Sequence, residues 1–257
     1  MGICVITGGT TGIGAEVKRL LLEQGQEVFN IDYKGGDVCA DLSTKDGRAS
    51  ALLEIHNRYP DGIDCMICNA GVGPSQPAAN IFVLNFIASV EMAEGVRDLL
   101  KKKQGCCVIT SSNSITNSTV RLDWVDMLCN VMDEDRIVEF AKTIPPQLQP
   151  SAYSSSKRAL AKWVRRISPS WATDGLRINA VAPGNTTTPM TQGLTEQQMD
   201  SALLIPIPTR YGRREFLDAV EIANGIVFLA SKLASGINGS ILFIDGGIDA
   251  LLRSEQV

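Results

Sequence analysis

Short apolar runs alternate with longer amphipathic stretches along the chain. The runs are I-C-V-I-T (3–7), E-V-F-N-I (27–31), D-C-M-I-C (64–68), C-V-I-T (107–110), R-I-N-A-V-A (177–182) and S-I-L-F-I (240–244), with a weaker one at D-V-C-A (37–40). The first and fourth are almost continuously apolar, as in strands covered on both faces of a sheet. Helical patterns lie between them, roughly over 13–25, 46–58, 80–102, 153–172 and 214–231. This alternation predicts βαβ units. The expected fold is therefore α/β, a doubly wound parallel sheet of about seven strands with helices on both faces. No stretch reads as an interdomain linker, so residues 1–257 are taken as one domain.

Two stretches break the alternation. Residues 111–152 carry patterns for short helices around 120–132 and 134–142, which define a helical insertion at about 115–150. Trp124, Met127, Leu128 and Met132 recur there at roughly helical spacing. They either pack against the body or form one wall of an apolar pocket. Residues 185–213 form the second stretch, where Met190, Leu194, Met199, Leu203, Leu204 and Ile205 suit a lid over a hydrophobic substrate. Both stretches follow strands, and in an open parallel sheet the ligand crevice lies outside the strand carboxyl ends. Long loops at that edge are characteristically lids or binding loops.

Composition narrows the function classes. The chain is 44% hydrophobic and 20% charged, with a net charge of -4. Its longest basic run is Lys101-Lys102-Lys103, which suits a helix C-terminus. No basic footprint for nucleic acid is present. No 18-residue apolar stretch and no leader pattern occurs, so no membrane partner is expected and a cytoplasmic location is. A myristoylation signal at Gly2 fails because Ile6 stands where Ser or Thr is needed. The seven cysteines are read as free and buried. Cys65 and Cys68 have metal-like spacing, but in a strand that separation puts them on opposite faces. The single histidine, His56, is read as a surface residue, and no metal is expected.

The segment T-G-G-T-T-G-I-G (7–14) follows the first strand and opens a helix. Gly8 permits the tight turn, Gly12 admits a pyrophosphate to the backbone, and Gly14 allows close helix–strand packing. The helix N-terminus offers N–H donors and a positive dipole end to the anion. Asp32 ends the second strand, 18 residues after Gly14. Its carboxylate can accept from both adenosine ribose hydroxyls and would repel a 2′-phosphate. NAD is therefore expected in preference to NADP, although Lys34 lies close by. Asp41 follows the weak third strand and can accept from the adenine amine, while Ser43 or Thr44 is better placed to cap the next helix. The expected fold is thus of the Rossmann type.

Y-S-S-S-K (153–157) opens another helix, in which Leu160, Trp163, Val164 and Ile167 mark the apolar face. One reading is local: Ser151 caps the helix and small polar residues fill its first turn. The other is chemical: Tyr153 and Lys157 share a face at i, i+4, and the small serines leave that face open to a ligand.

Taken in order, the glycine turn, N-A-G (69–71), the serine-rich end at 110–114, Y-x-x-x-K, and P-G-N-T-T-T (183–188) resemble the short-chain dehydrogenase/reductase family over essentially the whole chain. C-A-D-L-S-T (39–44), I-D-G-G-I-D-A (244–250) and the long gap before Tyr153 resemble the bacterial 3α-hydroxysteroid dehydrogenase/carbonyl reductases within it. Aryl-alcohol dehydrogenases share the long gap. The resemblance implies catalytic roles for Asn85, Ser112, Tyr153 and Lys157. Tyr153 would exchange the alcohol proton, Lys157 would hold the nicotinamide ribose, and Ser112 would hold the substrate oxygen, with Ser111 and Ser114 as alternatives. Asn85 would link Lys157 to solvent. A phenol acting as a base near neutrality must fall by about 3 pKa units, or about 4 kcal/mol. Lys157 and an oxidised nicotinamide are the expected causes.

The resemblance also places Asn69, Ala70 and Gly71 against the cofactor. It puts Pro183 and Gly184 under the nicotinamide, with Thr188 on the carboxamide or a phosphate and Thr186 or Thr187 as substitutes. Thr11, Ile13, Tyr33 and Leu42 complete the cofactor set. The implied activity is NAD-dependent interconversion of a secondary alcohol and a ketone, first a 3α-hydroxysteroid. The alternatives are a dehydrogenase for aryl or other small alcohols and an NAD-binding regulator without turnover. The implied partners are a small hydrophobic carbonyl or alcohol and a second copy of the chain, as a homodimer or other homo-oligomer. The 41-residue interval from Ser112 to Tyr153 departs from ordinary members, so altered assembly is expected.

Overall fold

A computed structural model describes residues 2–131, 133–192, 199, 205–211 and 215–256. Seven parallel strands form the central sheet, in the order β3-β2-β1-β4-β5-β6-β9. They are β1 (Ile3–Thr7), β2 (Glu27–Asp32), β3 (Val38–Cys39), β4 (Cys65–Cys68), β5 (Cys106–Thr110), β6 (Arg177–Pro183) and β9 (Ile241–Ile244). The α/β, doubly wound expectation holds, and each predicted run lies on a strand within two residues. Side-chain alternation divides each apolar run between two cores. Val5, Met66 and Cys107 face one, with Cys4, Ile6, Ile67 and Val108 in the other. Cys65 and Cys68 fall on opposite faces, as the strand period requires.

Helix α1 (Gly12–Glu23) packs on the second core together with α10 (Ala219–Ala230) and the short α11 (Ile248–Leu252). The first core is covered by α2 (Lys45–Arg58), α3 (Ala78–Ile81), α4 (Ala88–Gly95), α5 (Arg97–Lys103), α6 (Leu122–Val131), α7 (Glu134–Lys142) and α8 (Ser151–Thr173). Thr44 caps α2 by accepting from Gly47 N–H, and the three-lysine run closes α5. His56, near the end of α2, is partly exposed and contacts Asp98.

The expected single helix over 80–102 is interrupted. Residues Phe82–Ile87 form a π-helical segment, and the chain breaks again at Val96, where φ is -111°. The helix expected from 214 instead starts at Ala219. Asp218 and Glu221 form a reciprocal capping box there, which fixes the N-terminus. Just before it, β8 (Leu217–Asp218) pairs with β7 (Thr186–Thr187), joining both ends of the segment that contains α9 (Pro189–Gln192).

The two short helices expected after β5 are present as α6 and α7. Trp124 and Leu128 are buried in the first core, where Trp124 meets Phe82 and Phe140 edge-on at centroid distances of 6.0 and 5.8 Å. Met127 is partly buried against them; Met132 lies outside the described residues. Arg48 of α2 is 1% exposed, donates to Leu42 O and pairs with Glu91 of α4 and Glu134 of α7. This buried cation ties α7 to the body. Among the described residues no single helix is long and apolar enough to cross a membrane. Ala78–Gly95 and Arg97–Lys103 reach that length only together, across a 47° bend.

Candidate active site

The strand order reverses between β2-β1 and β4-β5, and a crevice at the carboxyl ends of strands is the consequence of such a switch. A cavity of about 720 Å³ occupies that edge, walled by the turns that follow β1 to β6.

At one end is the glycine turn. Gly8 has φ of 72°, and a Cβ there would lie 2.8 Å from the Ala70 backbone, so the turns after β1 and β4 touch. Gly12, at φ 55°, lines the cavity opposite Thr188, as do Thr11 and Ile13. Gly14 does not line it: its Cβ would fall 2.0 Å from Gly8 O, so it serves helix–turn packing rather than ligand contact. Thr11 caps α1 without a side-chain bond, and the first turn carries no acidic residue. That helix end keeps N–H donors for an anion, which fits a dinucleotide pyrophosphate.

Asp32 lies beside this turn, its Oδ2 accepting from Thr10 N–H at 3.0 Å and its Oδ1 from Tyr33 N–H at 2.8 Å. Both bonds fix the carboxylate and leave lone pairs for hydroxyl donors. Lys34 sits 5.4 Å from the Tyr33 ring centroid, and among the described residues no ion pair joins it to Asp32. Tyr33, Asp41 and Leu42 complete this end of the wall. Asn30 was not anticipated: buried in β2, it accepts from Gly9 N–H and donates to Thr10, holding the glycine turn from below. Only an asparagine within an apolar strand signalled it.

Asn69, Ala70 and Gly71 form the next wall. Asn69 donates to Gly8 O at 2.9 Å and accepts from Thr110 Oγ1 at 3.2 Å, bridging three strand ends. Pro183, Gly184, Thr186 and Thr188 line the cavity after β6, whereas Thr187 does not. Thr186 is buried and donates to Gly184 O at 2.8 Å.

Ser112, Tyr153 and Lys157 converge at the other end. Ser112 lies two residues beyond β5, at the start of a 3-10 turn, and accepts from Ser114 N–H at 3.2 Å, leaving its own proton to donate. Lys157, 5% exposed, donates to Thr110 O at 2.8 Å, a partner the sequence did not reveal. Burial lowers its pKa to about 8. Its Nζ stands 5.9 Å from the Tyr153 ring centroid. Burial pushes the Tyr153 phenol above its ordinary value, and its hydrogen bond with Ser112 pulls the other way. The net shift is upward, opposite to the lowering expected from Lys157, so the chain's own groups hold Tyr153 as a neutral phenol. Asn85 is buried in the π-helical segment and does not line the cavity. It exchanges two bonds with the Val72 backbone, at 2.8 and 3.0 Å. A Cβ at Gly71 would lie 2.9 Å from Asn85 Oδ1 and 3.5 Å from Lys157 Nζ, so Asn85 and Lys157 flank that glycine.

The serines of Y-S-S-S-K act differently from one another. Only Ser154 reaches the cavity, paired with Thr119 at 3.0 Å. Ser155 accepts from Arg121 N–H and Ser156 donates to Tyr153 O, both fully buried. Their smallness admits neighbouring chain rather than ligand. Ser151 lies inside α8 and is not its cap; Pro150 precedes the helix with no side-chain bond. Helices α6 and α7 contribute no lining residue, so their apolar side chains serve packing. Of the proposed lid, Met190 lines the cavity near Gly73 and Ile205 is exposed, while Leu194, Leu203 and Leu204 lie outside the described residues.

A doubly wound sheet whose cleft runs from a helix end with free N–H donors to a phenol, an ammonium and a hydroxyl defines a dinucleotide-dependent oxidoreductase. Residues 2–122 match the short chain dehydrogenase family, and residues 137–249 match the family described as enoyl-(acyl carrier protein) reductase. The chain is 32% identical to the 3-alpha-hydroxysteroid dehydrogenase/carbonyl reductase of Comamonas testosteroni, over 100% of both chains. It is 30% identical to the cis-4-hydroxycyclohexanecarboxylate dehydrogenase of Sinomonas cyclohexanicum, over 97% of each. The crystal structure of the 3-alpha-hydroxysteroid dehydrogenase from Pseudomonas sp. B-0831, complexed with NADH, superposes with a TM-score of 0.92 at 33% identity, covering 99% of this chain and 100% of that one. The protein belongs to the short-chain dehydrogenase/reductase family, whose members act on alcohol or carbonyl groups and whose fold binds NAD or NADP.

Proposed function

We propose that the protein interconverts a 3α-hydroxysteroid and the 3-oxosteroid with NAD as cofactor. The observation that carries this reading is the continuous cavity, with Asp32 at one end and Ser112, Tyr153 and Lys157 at the other. Asp32 favours NAD because, among the described residues, no cation pairs with it to offset its repulsion of a 2′-phosphate. The whole-chain likeness to two 3α-hydroxysteroid dehydrogenases supports the substrate. Val72, Pro74, Leu84, Pro150 and Met190 supply apolar wall beside Tyr153.

Bound NAD supplies the hydride acceptor and a positively charged ring. Tyr153 receives the alcohol proton on its phenolic oxygen during oxidation and returns it during reduction. The neutral phenol that burial favours is the form that donates to a ketone. Ser112, with its oxygen already accepting from Ser114 N–H, donates to the substrate oxygen. Lys157 is charged near neutrality and keeps its ammonium on Thr110 O, close to the phenol ring. Asn85 holds the Val72 backbone and thereby the Gly71 wall beside Lys157.

The test is nicotinamide absorbance with a 3α-hydroxysteroid and either NAD or NADP, on the wild type and on Tyr153→Phe. The expected result is NAD reduction by the wild type and a loss of about 10³-fold or more in the variant, with NAD binding retained. Turnover with NADP alone would overturn the Asp32 argument. Equal behaviour of the two proteins would indicate a regulator instead.

A further inference from the structure

Helix α7 contributes nothing to the cavity lining, yet its first turn is joined to the wall at the Asp32 end. Residues Ala40, Asp41, Leu42 and Ser43 form that wall. Asp41 is held locally: Thr44 Oγ1 donates to Asp41 O at 2.9 Å, and a Cβ at Gly47 would fall 2.0 Å from the same oxygen. Leu42 is held from farther along the chain. Its carbonyl accepts from Arg48 Nη1 at 3.0 Å, and among the described residues no other donor reaches it. Arg48 in turn pairs with Glu91 and with Glu134, the first residue of α7. The Glu91 side chain is 45% exposed, so alone it would draw the guanidinium toward water. Glu134 is 14% exposed and keeps the charge inside. The neighbouring Lys45–Asp135 pair spans the same joint at 2.8 Å, but both side chains are exposed and add little.

Stability does not account for this arrangement. Apolar side chains of similar volume commonly stabilise a fold as well as a buried ion network does. A planar guanidinium with fixed donors does something they cannot, which is to set the position of the group that accepts from it. We propose that Arg48 and Glu134 are positioning residues for the cofactor, through which the insertion holds the Leu42 backbone against the adenosine half of the dinucleotide. This rests on the reading that the adenosine lies between Asp32 and Leu42.

Two variants test it, Glu134→Ala and the double variant Arg48→Met with Glu134→Leu. Asp174→Ala is the control, since it breaks ion pairs to Arg97 and Lys101 away from the cavity. NADH is titrated by its own fluorescence and AMP by displacing it, at a temperature where every variant is folded. The expected result is a dissociation constant raised by about fivefold for both ligands in both variants, with the control unchanged. The double variant also regains the thermal stability that Glu134→Ala loses, which separates position from stability. Unchanged AMP binding in Glu134→Ala overturns the proposal. So does wild-type affinity in the double variant, which traces the loss to an uncompensated charge. An equal loss in Asp174→Ala, or a loss for NADH that AMP does not share, overturns it as well. Should the wild type bind NADPH more tightly, NADPH and 2′-phosphorylated AMP replace the two ligands. That outcome refutes the Asp32 argument without touching this one.

Discussion

Lys157 provides a stability experiment with a defined sign. The residue is 5% exposed, and burial lowers its pKa from an ordinary 10.5 to about 8. The unfolded chain then holds this proton more tightly than the folded one. The stabilising contribution is present in full above 10.5 and is lost as pH falls through 8. Lys157→Met removes the titration and leaves a pH-independent offset from the lost bond to Thr110 O. Linkage at 1.36 kcal/mol per pKa unit makes the wild-type-minus-variant unfolding free energy about 2 kcal/mol more favourable at about pH 9.5 than at about pH 7. Tyr153, raised by burial, stays neutral across that range, and the cysteines are common to both proteins. The assay is urea unfolding followed by tryptophan fluorescence, since Trp124, Trp163 and Trp171 are all buried. A difference independent of pH, or one that shrinks as pH rises, would refute the claim that burial sets the lysine pKa.

Two further outcomes are expected. Asp32→Ala removes the carboxylate beside the adenosine end, so the ratio of kcat/KM for NADP to that for NAD should rise by about tenfold or more. An unchanged ratio would place cofactor choice elsewhere. Asn85→Ala strips the Val72 N–H and C=O of their partners, so denaturant unfolding should show a loss of about 2 kcal/mol together with reduced turnover. Full stability in this variant would mean that another group satisfies that backbone.

The strands were legible because a doubly covered parallel sheet requires near-continuous apolar runs of strand length. Tyr153 and Lys157 were legible for a different reason: a local helical spacing places them on one face whatever the remainder does. Contacts made across long sequence separations were not. The Thr110 carbonyl under Lys157 and the Arg121 amide on Ser155 arise from which loops pack on α8. No periodicity within Y-S-S-S-K encodes that choice. The π-helical segment around Asn85 escaped because F-V-L-N-F-I keeps apolar side chains inward in either helical form. Tyr153 was expected to feel Lys157 as a nearby charge, but the burial that brings the two together also raises the phenol.

The distribution of thiols has a practical consequence. Cys39 is exposed, whereas Cys4, Cys65, Cys68, Cys106, Cys107 and Cys129 are buried in the cores. A chromogenic thiol reagent should therefore modify one equivalent at once and the other six only as the sheet opens. The slow phase becomes a clock for global opening that needs no introduced label. The fast one reports on the cofactor end, because Cys39 pairs in register with Asp32 and adjoins Ala40 in the cavity wall. Protection of that single equivalent by a dinucleotide would give a binding readout independent of turnover.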